Sequence, residues 1–196
     1  MTRIWHAMFM LAVAWPASAE TIESAYTDLD VKRDCVVFSS DQDGGDSGNL
    51  ICAGFRGYPV LIFTGDLRES VFYGLPPESD HVWESFAGFN SAGPKIEWRL
   101  SVDGDRKVPF ATIHRWFVSD DPDDSETKTE VLVVEKIGQL QEREGCAVGY
   151  VVATGSPKAN ETARKIADEQ VREFVCGADE PVLVSGDTPM PAIARP

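Results

Sequence analysis

After residue 20 the sequence has no apolar run near the roughly 20 residues that a membrane-spanning helix needs. It has no Cys-x-x-Cys and no clustered Cys/His pair, so the usual zinc-site spacings are missing. No internal repeat suggests a solenoid. Cations are scarce: 18 Lys and Arg stand against 32 Asp and Glu, giving a formal charge of -14 with only 3 His. That balance disfavours nucleic acid and anionic lipid as partners; it suits a basic protein surface and also keeps a chain soluble.

The first residues, "MTRIWHAMFMLAVAWPASAE", place Arg3 and His6 before an apolar run from Ala7 to Trp15 and end in Ala17-Ser18-Ala19. This order predicts a signal peptide over 1–19 with cleavage before Glu20, and hence a periplasmic or extracellular protein. Cleavage removes Arg3 and no acid, so the mature chain is one charge more negative. All four cysteines lie beyond that point, and an even number in an exported chain predicts disulfides. Three pairings are open. Local supersecondary units favour Cys35 with Cys52 and Cys146 with Cys176, links worth about 3 to 4 kcal/mol each by chain entropy.

Short apolar segments separated by turns predict extended pieces at 26–31, 35–39, 50–55, 58–63 and 67–73. Residues 74–94 read mainly as loop, with a short helix over 80–86. "KIEWRL" then alternates cleanly, setting Ile96, Trp98 and Leu100 against Lys95, Glu97 and Arg99, the pattern of a half-buried strand. Val108–Val118 is apolar on both faces, as in the middle of a covered sheet, with Pro109 at its start. Two strands follow at 131–137 and 146–154. From Asn160 the period changes: Ala163, Ile166, Ala167, Val171 and Phe174 form a helical stripe, with Ser156 or Asn160 as the N-cap and Gly177 as the stop. The expected fold is a single α+β domain over 20–185, a mainly antiparallel or mixed sheet with a C-terminal helix on one face, followed by a flexible tail over 186–196.

"GGDSGN" contains the Gly-Asp-Ser-Gly of trypsin-like nucleophiles around Ser47. The only histidine before it is His6, inside the predicted signal peptide, and Asn49 stands where that signature has a second glycine. The stretch reads as a polar turn, and Ser47→Ala is expected to change no activity. Its acids Asp41, Asp43 and Asp46, and a second group at Asp120, Asp121, Asp123 and Asp124, supply hard oxygens for calcium, although the EF-hand spacing fails. His114, within "FATIHRWF", shares an alternating face with Phe110, Thr112 and Trp116 and reads as structural. His81 sits in the irregular loop. Tyr58, Tyr73, Trp83 and Phe86 lie near glycine or proline breaks and form a candidate binding patch; the alternative is that they cover the ends of the sheet.

"YTDLD", Cys35, "GYPV", "GPKIEWRL", "PFATIHRWF", "CAVGYVVA" and "NETARKIADEQVREFVCG", in that order, resemble a family of uncharacterised exported proteins from alphaproteobacteria. The resemblance implies a single envelope domain and brings no activity, ligand or catalytic residue.

The leading functional expectation is therefore a non-enzymatic periplasmic protein that binds a partner or supports the envelope, with a basic protein as the fitting partner. Two alternatives stand beside it: a hydrolase using a carboxylate or a His114-centred site, and a calcium or small-ligand module. No cofactor other than calcium is suggested.

Overall fold

The computed structural model describes residues 20–40, 48–77, 83–119 and 127–195. In chain order the elements are β1 (Thr21–Asp28), α1 (Val31–Asp34), β2 (Cys35–Ser40), β3 (Gly48–Cys52), β4 (Val60–Gly65), β5 (Arg68–Tyr73), β6 (Ser85–Phe86), β7 (Phe89–Asp103), β8 (Arg106–Ser119), β9 (Thr129–Lys136), β10 (Cys146–Val152), α2 (Ala159–Gln170), β11 (Val182–Val184) and β12 (Ile193–Ala194). A six-stranded sheet runs β1-β7-β8-β9-β10-β11, and a four-stranded meander runs β2-β3-β4-β5. Every neighbour pair in both sheets is antiparallel except β10 with β11.

These elements stack in three layers, because the six-stranded sheet is apolar on both faces. One face meets the meander: Ile96, Trp98, Trp116, Val131, Val133 and Tyr150 pack against Val60, Ile62, Val71 and Tyr73. The other face supports α2, with Ile113, Leu132, Val134 and Val148 against Ala163, Ile166 and Ala167. A 12-residue helix is marginal alone. Its buried stripe holds it, each fully buried large apolar side chain contributing roughly 2 kcal/mol. The helix-covered face also explains "VLVV" in β9, where consecutive residues are buried.

The α+β class, the mainly antiparallel sheets and the C-terminal helix on one sheet face are as the sequence implies. Both expected disulfides are present: Cys35–Cys52 links directly paired residues of β2 and β3, and Cys146–Cys176 ties β10 to the chain beyond α2. No helix among the described residues is long and apolar enough to cross a membrane.

Several local expectations change. β1 begins at Thr21, because its backbone pairs with β7 from Thr21↔Val102 to Asp28↔Lys95. The loop expected to run to Pro94 ends earlier: β7 begins at Phe89 and carries Pro94 within a register shift between Ala92 and Ile96. Ser85–Phe86 is a short strand, where a helix was expected. Pro109 lies inside β8 beside a second shift, Arg99↔Ala111 being followed by Leu100↔Pro109; the extra residue turns Phe110 to the helix side, where the Arg172 guanidinium lies 4.4 Å from its ring centre. At α2 the N-cap is Lys158, which makes no side-chain cap bond, so neither Ser156 nor Asn160 fills that role. The helix ends at Gln170 with Val171 as its C-cap, earlier than the expected stop, and Gly177, at φ +81°, turns the chain further on. Residues 186–195, expected as a tail, run back so that Ile193 and Ala194 pair with Phe86 and Ser85.

The alternating strand is the largest change. Lys95, Glu97 and Arg99 were expected on a solvent face, but α2 covers that side and Glu97 and Arg99 are buried. They survive there because every charge is met. Glu97 accepts from Arg164 Nε at 2.7 Å and from Ser24 Oγ at 2.6 Å; Arg99 donates from Nε to Asp168 Oδ1 at 2.8 Å and from Nη2 to Asp168 Oδ2 at 2.6 Å. Burial pushes the Glu97 carboxyl up, and the hydrogen bonds from Arg164 and Ser24, with the Arg164 and Arg99 charges, more than reverse it.

Candidate binding cleft and a buried carboxyl pair

His114 is fully buried between the two sheets. Its Nε2 lies 2.6 Å from the Gly93 carbonyl, which only accepts, so Nε2 carries the proton; Nδ1 then accepts from the Tyr73 hydroxyl at 2.6 Å. Burial lowers its pKa to about 4 against the upward pull of the Gly93 carbonyl. Both ring nitrogens are occupied and no surface reaches them, so this histidine is a neutral structural bridge with no route to a substrate.

The four aromatic candidates do not form one patch. Tyr73 and Phe86 are buried: Phe86 packs its ring against Tyr150 and Trp116 with centres 5.7 and 5.8 Å apart. They are apolar mass for the core, which their neighbouring glycine and proline breaks do not prevent. Tyr58 and Trp83 are half-buried at opposite ends of β4. Tyr58 donates to Gln139 Oε1 at 3.1 Å and lines a shallow depression of about 230 Å³ with Arg56, Leu75 and Leu140. Trp83 lies over Gly65. The calcium candidates Asp41, Asp43, Asp46, Asp120, Asp121, Asp123 and Asp124 lie outside the described residues, as do Ser47 and His81. Among the described residues no three Asp, Glu, His or Cys side chains gather as metal ligands.

A depression of about 380 Å³ lies where β10, the turn after α2 and the segment around Arg195 converge. Its walls are Glu84, Phe174, the Cys146–Cys176 disulfide, Asp179, Glu180 and Arg195. The disulfide and the positive-φ turn at Gly177 shape one side. Asp179 is engaged as a cap, accepting from Val175 N at 2.8 Å, whereas Glu180 projects into solvent and meets Arg195 at 3.6 Å. Three acids thus face one cation.

Glu84 forms the inner wall. The β9–β10 register shifts between Ala147 and Gly149, and beside this irregularity the Ala147 N–H donates to Glu84 Oε2 at 2.5 Å. Glu84 N in turn donates to Ser70 Oγ at 2.9 Å, which fixes the approach to β6. Burial raises the Glu84 pKa, opposed by the Ala147 hydrogen bond and the Arg195 charge.

Behind Glu84 lies Glu135, on the same face of β9 as Val131 and Val133 and therefore inside the core. Its pKa is driven well above the usual carboxylate range by burial and then by the Glu84 charge. Burial and the same two acids also raise the Tyr150 hydroxyl. Glu84 and Glu135 share a second, much smaller cavity of about 10 Å³ with Trp116 and Tyr150. Perturbed carboxyls converging on a concave site mark a functional candidate. Sequence reasoning missed both. Glu84 left no signal, but Glu135 did: an acid at the inward register of an otherwise apolar strand.

No family model matches the chain, and no curated protein or solved structure matches it.

Proposed function

We propose that this chain is an exported, periplasmic binding protein whose Glu84 cleft receives a cationic group, a lysine or arginine side chain, presented by a basic protein. The observation that carries the reading is the cleft itself: about 380 Å³, with Glu84, Asp179 and Glu180 facing Arg195 alone. An ammonium or guanidinium at Glu84 would be met by a partly dehydrated carboxylate, where a charge pair is less screened than at an open surface. The formal charge of -14 adds long-range attraction for a basic partner. The two disulfides suit an oxidising compartment.

The test is calorimetric titration of the protein with an acetylated, amidated Ala-Lys-Ala peptide and its norleucine counterpart. A saturable isotherm for the lysine peptide is expected, weakened by salt and by Glu84→Gln and missing for norleucine. Equal behaviour of the two peptides, or of the wild type and Glu84→Gln, would sink the reading.

A further inference from the structure

Two residues that line the small cavity behind Glu84 carry polar atoms that the fold leaves unmatched. Trp116 and Glu135 are both more than nine-tenths buried, and both line it. The Trp116 Nε1–H has no acceptor and Glu135 Oε2 has no hydrogen-bond partner among the described residues. An enclosed indole N–H and an enclosed carboxyl oxygen each cost roughly 1 to 3 kcal/mol when left unsatisfied. One is a donor and the other accepts when ionised or can donate when protonated. The occupant therefore has to accept from the indole, and either donate to an unprotonated Glu135 oxygen or accept from a protonated one. An ammonium ion cannot accept. The volume, about 10 Å³, is close to one water-sized probe and too small for anything larger.

We propose that this cavity is a single-water site, in which the water accepts from Trp116 Nε1–H and bridges to Glu135, making the buried carboxyl a hydrogen-bonded extension of the cleft at Glu84. The titratable groups around it are Glu84 from the segment before β6, Tyr150 of β10, Tyr73 of β5 and Arg195 at the cleft wall. On β8 the residue paired with Glu135 is the uncharged Thr112, and on β10 it is Ala147. No cation pairs with Glu135 among the described residues, whereas Glu84 opens to the cleft and to Arg195, so Glu135 holds its proton more tightly than Glu84 does. The cavity site stands without the cation reading; its consequence for the cleft, that Glu84 ionises before Glu135 and meets the ligand, rests on that reading.

The experiment is solution NMR of the full chain at neutral pH, read at the Trp116 indole proton. A nuclear Overhauser cross-peak of the sign given by a long-lived water is expected in the wild type and in Glu135→Gln, and it is lost in Glu135→Leu, whose side chain fills the space. The wild type alone decides if the leucine variant fails to fold: an indole proton with no water cross-peak overturns the proposal. Infrared spectra should show a protonated carboxyl band in the wild type that disappears in Glu135→Gln; its persistence in the variant would also overturn it. Addition of the lysine peptide separates the two readings. A water cross-peak together with an indole resonance that the peptide leaves unmoved supports the cavity and counts against the cleft.

Discussion

Tyr73 of the meander gives its hydroxyl proton to Nδ1 of His114 in the six-stranded sheet across 2.6 Å, and the Nε2–H of the same ring reaches the Gly93 carbonyl across 2.6 Å. The two sheets are thus joined by a polar bridge inside a largely apolar seam, and the bridge works only with a neutral imidazole. The bulged stretch of β7 between Ala92 and Ile96 is what presents the carbonyl.

This bridge makes stability depend on pH. The folded pKa of about 4 lies below the ordinary 6.5, so the unfolded chain takes up the proton first as pH falls. The contribution is whole above about pH 6.5 and is lost as pH drops towards 4, amounting to about 3 kcal/mol. Chemical denaturation of the wild type and His114→Gln at intervals between pH 7 and 4 should show their difference shrinking by that order. A constant difference would rule the bridge out as the source.

Glu135 acts with the opposite sign. Its folded pKa is raised, so its contribution is present below the ordinary carboxylate pKa and declines as pH climbs towards the folded value. Glu135→Gln keeps the shape and removes the ionisation. The variant should gain stability over the wild type as pH is taken from 5 to 8, read as a widening gap in Tm.

The buried ion network predicts a strong asymmetry between its two arginines. Arg99 has a side chain 9% exposed and holds Asp168 in a two-pronged grip, whereas Arg164 is 41% exposed. Arg99→Met should cost about 3 kcal/mol by stranding acids in a dry setting. Arg164→Met should cost distinctly less, since water can reach its place. Combining Arg99→Met with Asp168→Leu should cost less than the two single losses together, which urea titrations of the four proteins would measure.

Much of the scaffold could be read from residue order. The period-2 run through Ile96, Trp98 and Leu100 and the helical stripe through Ala163, Ile166 and Ala167 are local patterns, and both elements form with those residues inward. What escaped depends on contacts distant in the chain. Glu97 and Arg99 look like a wet face until α2, some 65 residues later, lies over them. Tyr73 and Phe86 sit beside chain breaks and still point inward, because exposure is decided by the opposite sheet. The cleft joins Glu84, Cys146 and Arg195, three stretches with no sequence relation.

Gly149 leaves no room for a side chain beneath α2. A Cβ there would come within 2.9 Å of Ile166 Cγ2 and 3.4 Å of its Cδ1. Gly149→Ala should therefore push α2 outward and cost about 1 to 3 kcal/mol. Pairing it with Ile166→Val should recover part of the loss; thermal melts of the single and double variants test this.

The six-stranded sheet is the common wall of both cores, and this gives the molecule a graded resistance to solvent exchange. An amide in the middle of β8 or β9 can trade its proton only when the meander on one side and the helix on the other have both given way. Deuterium should therefore enter β2 and β11 within the shortest labelling times and reach Ile113 and Val133 last, at a rate set by unfolding of the whole molecule.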